Sequence, residues 1–195
     1  MAEREETALL VRAQSGDLAA FEQFVHLFER RVRGLLGRIL DDERDVEEAA
    51  QDTFVQAWRH LDRFRGDAAP FTWLYRIAVN EALQRTRRKR LDTRPVEDER
   101  LERLEERDAH GAQRPLPPEL AAENREVRDF LAVRLRRLPS ALRIPVVLRD
   151  VEDWSNQEVA DVLGLSVPAA KSRIHRARMQ LRSELETWLH EREHD

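Results

Sequence analysis

No cysteine occurs in the chain, which excludes disulfides, thiol nucleophiles and thiolate metal sites at one stroke. A protein without thiols suits a reducing compartment, and the expectation is a cytoplasmic one. Glycine is scarce, with six residues, and none falls in a phosphate-cradling loop. No apolar run approaches the roughly 20 residues needed to cross a bilayer. The opening Met-Ala-Glu-Arg-Glu-Glu leads into no apolar stretch of signal-peptide length. Direct membrane insertion is therefore not expected, and membrane association would have to come through a partner. A bulk positive charge is lacking too, since the net charge is -4.

What is present is charge of both signs, separated along the chain. Charged residues make up 37%, against roughly 25% in ordinary globular proteins. Arg85-Thr86-Arg87-Arg88-Lys89-Arg90 is a basic block, residues 95–129 are rich in Asp and Glu, and residues 171–182 carry basic charges only. A local basic face attracts phosphate whatever the sum, so the distribution keeps nucleic acid open as a partner. With 41% hydrophobic residues in 195, the chain can build two small cores.

The apolar pattern is helical nearly throughout, which makes the expected fold all-α: two small helical domains joined by a flexible acidic linker. Leu18, Phe21, Phe24, Val25, Leu27 and Phe28 recur at spacings of three and four and continue through Val32, Leu35, Leu36, Ile39 and Leu40. Asp17 is positioned to cap this helix. A second amphipathic helix spans about 45–61, with Val46, Ala49, Ala50, Phe54, Ala57, Trp58 and Leu61 as its apolar face. After a turn at Arg65-Gly66-Asp67 and Pro70, a third helix opens on Phe71, Trp73, Leu74, Ile77, Ala78 and Val79 and ends in the basic block. Residues 92–120 lose this order through Pro95, Gly111, Pro115, Pro117 and Pro118, with Leu91, Leu101 and Leu104 as material for one short helix. The spacing thus divides the chain into a domain at 1–91, a linker at 92–120 and a domain at 121–195.

The second domain carries the sharpest local signal. Ser155-Asn156-Gln157-Glu158 is a capping box, in which Ser155 receives the N–H of the third helical residue and Glu158 reaches back. Val159, Ala160, Val162 and Leu163 give an inward face, Gly164 can close the helix in the left-handed conformation, and Ser166 can cap a second helix that tolerates Pro168 in its first turn. Two short helices with glycine at the corner form a helix-turn-helix. Such proteins lay the second helix in the major groove. Its candidate contacts are Lys171, Arg173 and Arg176, with Pro168 and Ala169 near enough for apolar contact and Ser172 on phosphate or on local backbone. A plain solvated basic helix is the competing reading of 171–182. In the first domain, Phe64, Phe71, Trp73 and Tyr75 near the basic block suit stacking on unpaired bases, although aromatics at helical spacing also build cores. Trp73 is open to both readings.

These motifs, in this order, resemble the extracytoplasmic-function sigma factors. Residues 45–58 (DVEEAAQDTFVQAW) resemble the stretch that docks on the polymerase clamp. Residues 71–80 (FTWLYRIAVN) resemble the segment that melts the promoter and reads its −10 element. Leu138-Pro139 with Arg143, Gln157-Glu158-Val159-Ala160 and Leu163-Gly164-Leu165-Ser166 match the family's terminal domain, and Lys171-Ser172-Arg173-Ile174-His175-Arg176-Ala177-Arg178 its −35 helix. The resemblance implies binding to core RNA polymerase and promoter DNA, and control by an anti-sigma factor that in some members is membrane-bound. Carried over by position, it places Glu48, Gln51 and Asp52 on polymerase. It places Trp73, Tyr75, Arg76, Asn80, Arg87 and Arg88 at the −10 element, and Pro168, Ala169, Lys171, Ser172, Arg173 and Arg176 at the −35 element. The chain departs from the family at Pro168-Ala169-Ala170, where Gly-Thr-Val is usual, which removes one hydroxyl from the approach to phosphate. The acidic linker would follow the RNA path, where its charge either imitates RNA or simply keeps the chain soluble.

A freestanding repressor could use the same helix-turn-helix, but it would need dimer symmetry or an effector domain in place of the docking helix. An enzyme is disfavoured. His190 and His194 share helical spacing but lie at a chain end, and the acidic pairs Asp41-Asp42 and Glu47-Glu48 suit helix ends. No catalytic residue, metal or cofactor is expected.

Overall fold

The computed structural model describes residues 2–66, 68–92 and 125–192, which fall into two compact units dividing after Asp92. All the regular structure among the described residues is helical. The first unit contains α1 (Ala2–Gln14), α2 (Leu18–Ile39), α3 (Glu43–Arg59), a 3-10 turn at Leu61–Arg63 and α4 (Pro70–Asp92). The second contains α5 (Arg125–Arg137), α6 (Ser140–Val146), a π-helical turn at Val147–Val151, α7 (Asn156–Leu163) and α8 (Val167–Arg192). The expected linker and the short helix through Leu101 and Leu104 lie outside the described residues.

In the first unit α2 supplies the core. Phe24, Phe28, Val32, Leu35, Leu36 and Ile39 are fully buried, one from almost every turn of one face. Phe24 sits between the rings of Phe21 and Phe28, with centroids 6.1 and 4.7 Å away. Two members of the expected stripe are corrected: Leu18 and Leu27 are 56% and 50% exposed, because at 100° per residue they fall on opposite flanks of the buried face. Asp17 caps α2 as its position predicts, accepting the N–H of Ala20 at 3.0 Å. The Arg12 guanidinium hydrogen-bonds the same carboxylate and, with the Ala20 N–H, holds Asp17 below the ordinary carboxylate range.

Helix α1 has no counterpart in the expected domain. Of its described side chains Leu10, Ala13 and the partly aliphatic Glu6 are buried, too few to show as a periodic signal. On α3, Ala49, Ala50, Thr53 and Ala57 are buried. Thr53 is tolerated there because its hydroxyl donates to the Ala49 carbonyl at 2.6 Å. Trp58, expected on the apolar face, packs against Phe21 at 4.9 Å yet remains 41% exposed.

The second unit is built on α8, whose Ala170, Ile174, Ala177, Leu181 and Leu185 are buried. Leu138, Leu142 and Val146 pack with Ala177 and Leu181 in one cluster. At the other end of α8, Trp188 stacks on Phe130 of α5 with centroids 4.8 Å apart, while Arg134 and Arg192 lie over those rings. Arg143 is buried beneath this frame and donates to the Arg136 carbonyl at 2.7 Å.

The capping box of α7 is complete. Glu158 N–H donates to the Ser155 hydroxyl at 3.2 Å, and the Glu158 carboxylate accepts the Ser155 N–H at 2.9 Å. Trp154 and Val159 flank the cap and are both buried, at the positions of a hydrophobic staple. Gly164 ends the helix at φ 66°, ψ 35°. A Cβ there would meet no atom within 4 Å, so the left-handed backbone alone demands glycine. Gly164→Ala is expected to lower the stability of this unit by about 1 kcal/mol. Chemical denaturation of the purified chain measures it, and an unchanged midpoint would show that the corner has another allowed conformation.

Candidate functional site

Three exposed helical strips carry the polar and basic residues singled out by the sequence. On α8, Ser166 accepts the Ala169 N–H at 3.2 Å and starts the helix immediately after the α7 corner. The buried stripe on this helix leaves Pro168 and Lys171 exposed, with Ala169, Ser172, Arg173 and Arg176 partly exposed. These six positions follow one another over the first three turns, the part of a recognition helix that reaches base edges. Arg178 belongs elsewhere. Its guanidinium forms a two-pronged pair with Asp150, with Nε 2.8 Å from the carboxylate, and this pairing raises its pKa further. The basic run therefore mixes the exposed Lys171 and the partly exposed Arg173 and Arg176, whose Nη2 is buried, with one cation that fastens α8 to the π-helical turn.

On α4, Leu74, Tyr75, Ala78, Val79 and Ala82 are buried. The opposite strip runs Trp73, Arg76, Asn80, Gln84 and Arg87, at spacings of three and four, with Arg88 beside it. It extends roughly 21 Å at 1.5 Å per residue. Arg76, Asn80, Gln84, Arg87 and Arg88 are exposed, and Trp73 is half-buried with its ring 5.4 Å from Phe64. Tyr75 does not join this strip, which corrects the expectation for it. Only 3% exposed, its ring meets Phe71 edge-on at 6.0 Å and lies beneath the Arg31 guanidinium, so it offers no face to a base. Gln84 is the residue that sequence reasoning overlooked; the strip's periodicity, followed past Asn80, would have found it.

The basic block at the end of α4 is likewise divided. Arg85 and Lys89 turn toward α3 and pair with Asp52 and Asp45, and Arg85 also contacts Glu81 at 3.2 Å. Of the block's cations with described side chains, only Arg87 and Arg88 stay clear of α3 on the exposed side.

On α3 the exposed strip comprises Glu48, Gln51, Asp52, Val55 and Arg59. Gln51 donates to Glu47 at 3.2 Å, and Glu47 is in turn held by Arg33 of α2 at 2.9 Å. Asp52 is thus shared between the outer surface and the α4 pair. Val55, 46% exposed amid polar neighbours, was not singled out by the sequence pattern, and with Trp58 it gives the strip an apolar centre. Among the described residues no cluster of three or more His, Cys, Asp or Glu side chains could hold a metal ion, and no helix is long and apolar enough to cross a membrane.

The described residues thus form a helical unit with an outward acidic and apolar strip and a helix-turn-helix unit with exposed and partly exposed basic residues at the start of α8. Two family models match the chain: sigma-70 region 2 over residues 24–91 and sigma-70 region 4 over residues 131–181. The RNA polymerase sigma-H factor of Pseudomonas aeruginosa is 33% identical over 193 residues, which cover 98% of this chain and 99% of that protein. The ECF RNA polymerase sigma-E factor of Escherichia coli K12 is 35% identical over 176 residues, covering 87% of this chain and 88% of that protein. Among solved structures, CnrH in complex with the cytosolic domain of CnrY aligns at 30% identity with a TM-score of 0.59, over 94% of this chain and 98% of CnrH. The chain belongs to the extracytoplasmic-function sigma factors of the sigma-70 family, the alternative sigma factors that direct RNA polymerase to promoters.

Proposed function

We propose a residue-level division of this work. The α3 strip, with Glu48, Gln51 and Asp52 around Val55, docks on core polymerase. The α4 strip, with Trp73, Arg76, Asn80, Arg87 and Arg88, meets the −10 element and assists strand opening. The start of α8, with Pro168, Ala169, Lys171, Ser172, Arg173 and Arg176, reads the −35 duplex. The observation that carries the proposal is that the α3 and α4 strips face outward, opposite the side chains that build the core, while the start of α8 keeps Pro168 and Lys171 exposed and Ala169, Ser172, Arg173 and Arg176 partly exposed around its buried stripe. Cations on α8 supply salt-dependent phosphate affinity, and an Arg that reaches guanine adds specificity. A half-buried indole beside exposed guanidinium groups suits a base released from the stack. The chemistry of RNA synthesis belongs to polymerase, and this chain contributes no catalytic group. It acts in the cytoplasm, and its controlling partner is an anti-sigma factor; CnrH, a similar fold, is held by the cytosolic domain of CnrY.

Reconstitution with core polymerase tests the division. Arg176→Ala is expected to weaken −35-dependent initiation while polymerase binding stays intact, and an equal loss of both would refute it. Asp52→Lys is expected to cut core affinity by about tenfold, since an interfacial charge reversal places like charges together. The Asp52–Arg85 pair complicates that result, although an exposed ion pair is worth only about 0–1 kcal/mol. The exchange Asp52→Arg with Arg85→Asp separates the two effects. Direct docking predicts that the exchange leaves core binding impaired, and recovery of binding would assign Asp52 to holding α3 against α4.

A further inference from the structure

We infer that Gln14 is a positioning residue for promoter opening: its side-chain amide fixes the turn that carries Phe64 and, through the Phe64 ring, the Trp73 end of the α4 strip. This rests on the reading of that strip as the promoter-opening surface.

The geometry is a double clamp. Gln14 Nε2 donates to the Leu61 carbonyl and to the Phe64 carbonyl, both at 2.7 Å, across 47 and 50 residues of sequence. One amide nitrogen has two protons, and both are used here on the 3-10 turn Leu61–Arg63 and its following residue. The Leu61 carbonyl also closes the turn by accepting the Phe64 N–H at 3.2 Å, so the Gln14 amide adds a second donor to it and ties the turn to α1. Phe64 exits the turn in an extended conformation (φ −72°, ψ 109°), and its buried ring meets Trp73 at 5.4 Å. Leu61 is buried beneath the same turn.

The clamp is itself held firmly. Gln14 is the last residue of α1, and the corner that follows it is fixed by the Gly16 N–H on the Ala13 carbonyl at 3.0 Å and by the Arg12–Asp17 pair at 2.6 Å. The same Asp17 caps α2, the helix that supplies the core. A chain of short contacts therefore runs from the α1–α2 corner through one amide to the turn, and from the turn to the indole. Without the amide the Leu61 carbonyl keeps only the Phe64 N–H, and the turn loses these two hydrogen bonds to α1. A surface that captures an unpaired base must instead be held in place before the base arrives, because ordering it afterwards weakens capture.

The test uses the full chain with core polymerase. Gln14→Met and Gln14→Glu keep the side-chain length and remove both donors. Initiation from a fully duplex promoter is expected to fall about tenfold, on the scale of two lost hydrogen bonds. Core affinity should be unchanged, the thermal midpoint should fall by several degrees with the chain still folded at the assay temperature, and a promoter whose −10 region is already unpaired should initiate at close to the wild-type rate. Unimpaired initiation on the duplex promoter overturns the inference, as does an equal loss on both templates. Trp73→Ala is run beside them. If it too spares duplex initiation, the reading of the α4 strip fails and takes the inference with it. If Trp73→Ala is defective and the Gln14 variants are not, the inference alone fails.

Discussion

The paired variant Lys171→Ala and Arg173→Ala is expected to lose about 100-fold in affinity for −35 duplex DNA, with core polymerase binding retained. The magnitude follows from two charge-assisted contacts at about 1–3 kcal/mol each, one of them a candidate bidentate pair with guanine. Salt dependence gives an independent check. Each cation removed from a phosphate lowers the slope of log affinity against log salt by about one, so the variant should depend less on salt as well as bind more weakly. Folding is not at stake. Lys171 is exposed, Arg173 is partly exposed, and Ala is the best helix former, so the substitutions should change stability by no more than about 0.5 kcal/mol. Titration by fluorescence anisotropy at several salt concentrations measures both quantities. An unchanged affinity and slope would place the DNA on another face of α8.

Phe24→Ala is expected to be the most destabilising single change in the first unit, costing about 3–5 kcal/mol. The ring has no solvent exposure and is wedged between Phe21 and Phe28, so its removal leaves a cavity that two neighbouring aromatic rings cannot fill without leaving their own contacts. A unit of this size has a total stability of only about 5–10 kcal/mol, so the substitution removes a large part of it. The second unit has its own core on α8 and should keep it. The expected outcome is that core polymerase binding and −10 opening disappear while the helix-turn-helix retains its affinity for −35 DNA at normal temperatures. Thermal unfolding followed by circular dichroism should show one early transition and one unchanged. A single transition shifted as a whole would mean that the two units unfold together.

The residues that cap helices could be read directly from the chain. Ser155, Glu158, Gly164 and Ser166 act on backbone groups within three or four positions of themselves, and local geometry is all they need. The apolar stripe of α8 was legible for the same reason, because a period of 3.6 selects one face wherever the helix is placed. Helix α1 was not legible, since two small turns of buried surface do not rise above its charged background. Leu18 and Leu27 stand three residues from a core position yet face solvent, because they lie on the two flanks of the stripe and periodicity does not say how wide the buried face is.

Sequence by itself therefore determined the helical class, the order of two units, the corner of the helix-turn-helix and the residues on its outward face, since each depends on neighbours close in the chain. Only the tertiary structure decided which charges remain available to a partner. Asp52 meets Arg85, Asp45 meets Lys89 and Asp150 meets Arg178 across tens of residues, and Tyr75 turns inward while Trp73 does not. Gln14 finds its two carbonyls at a similar remove. Such pairings depend on distances between helices, and those exist only once the cores have packed.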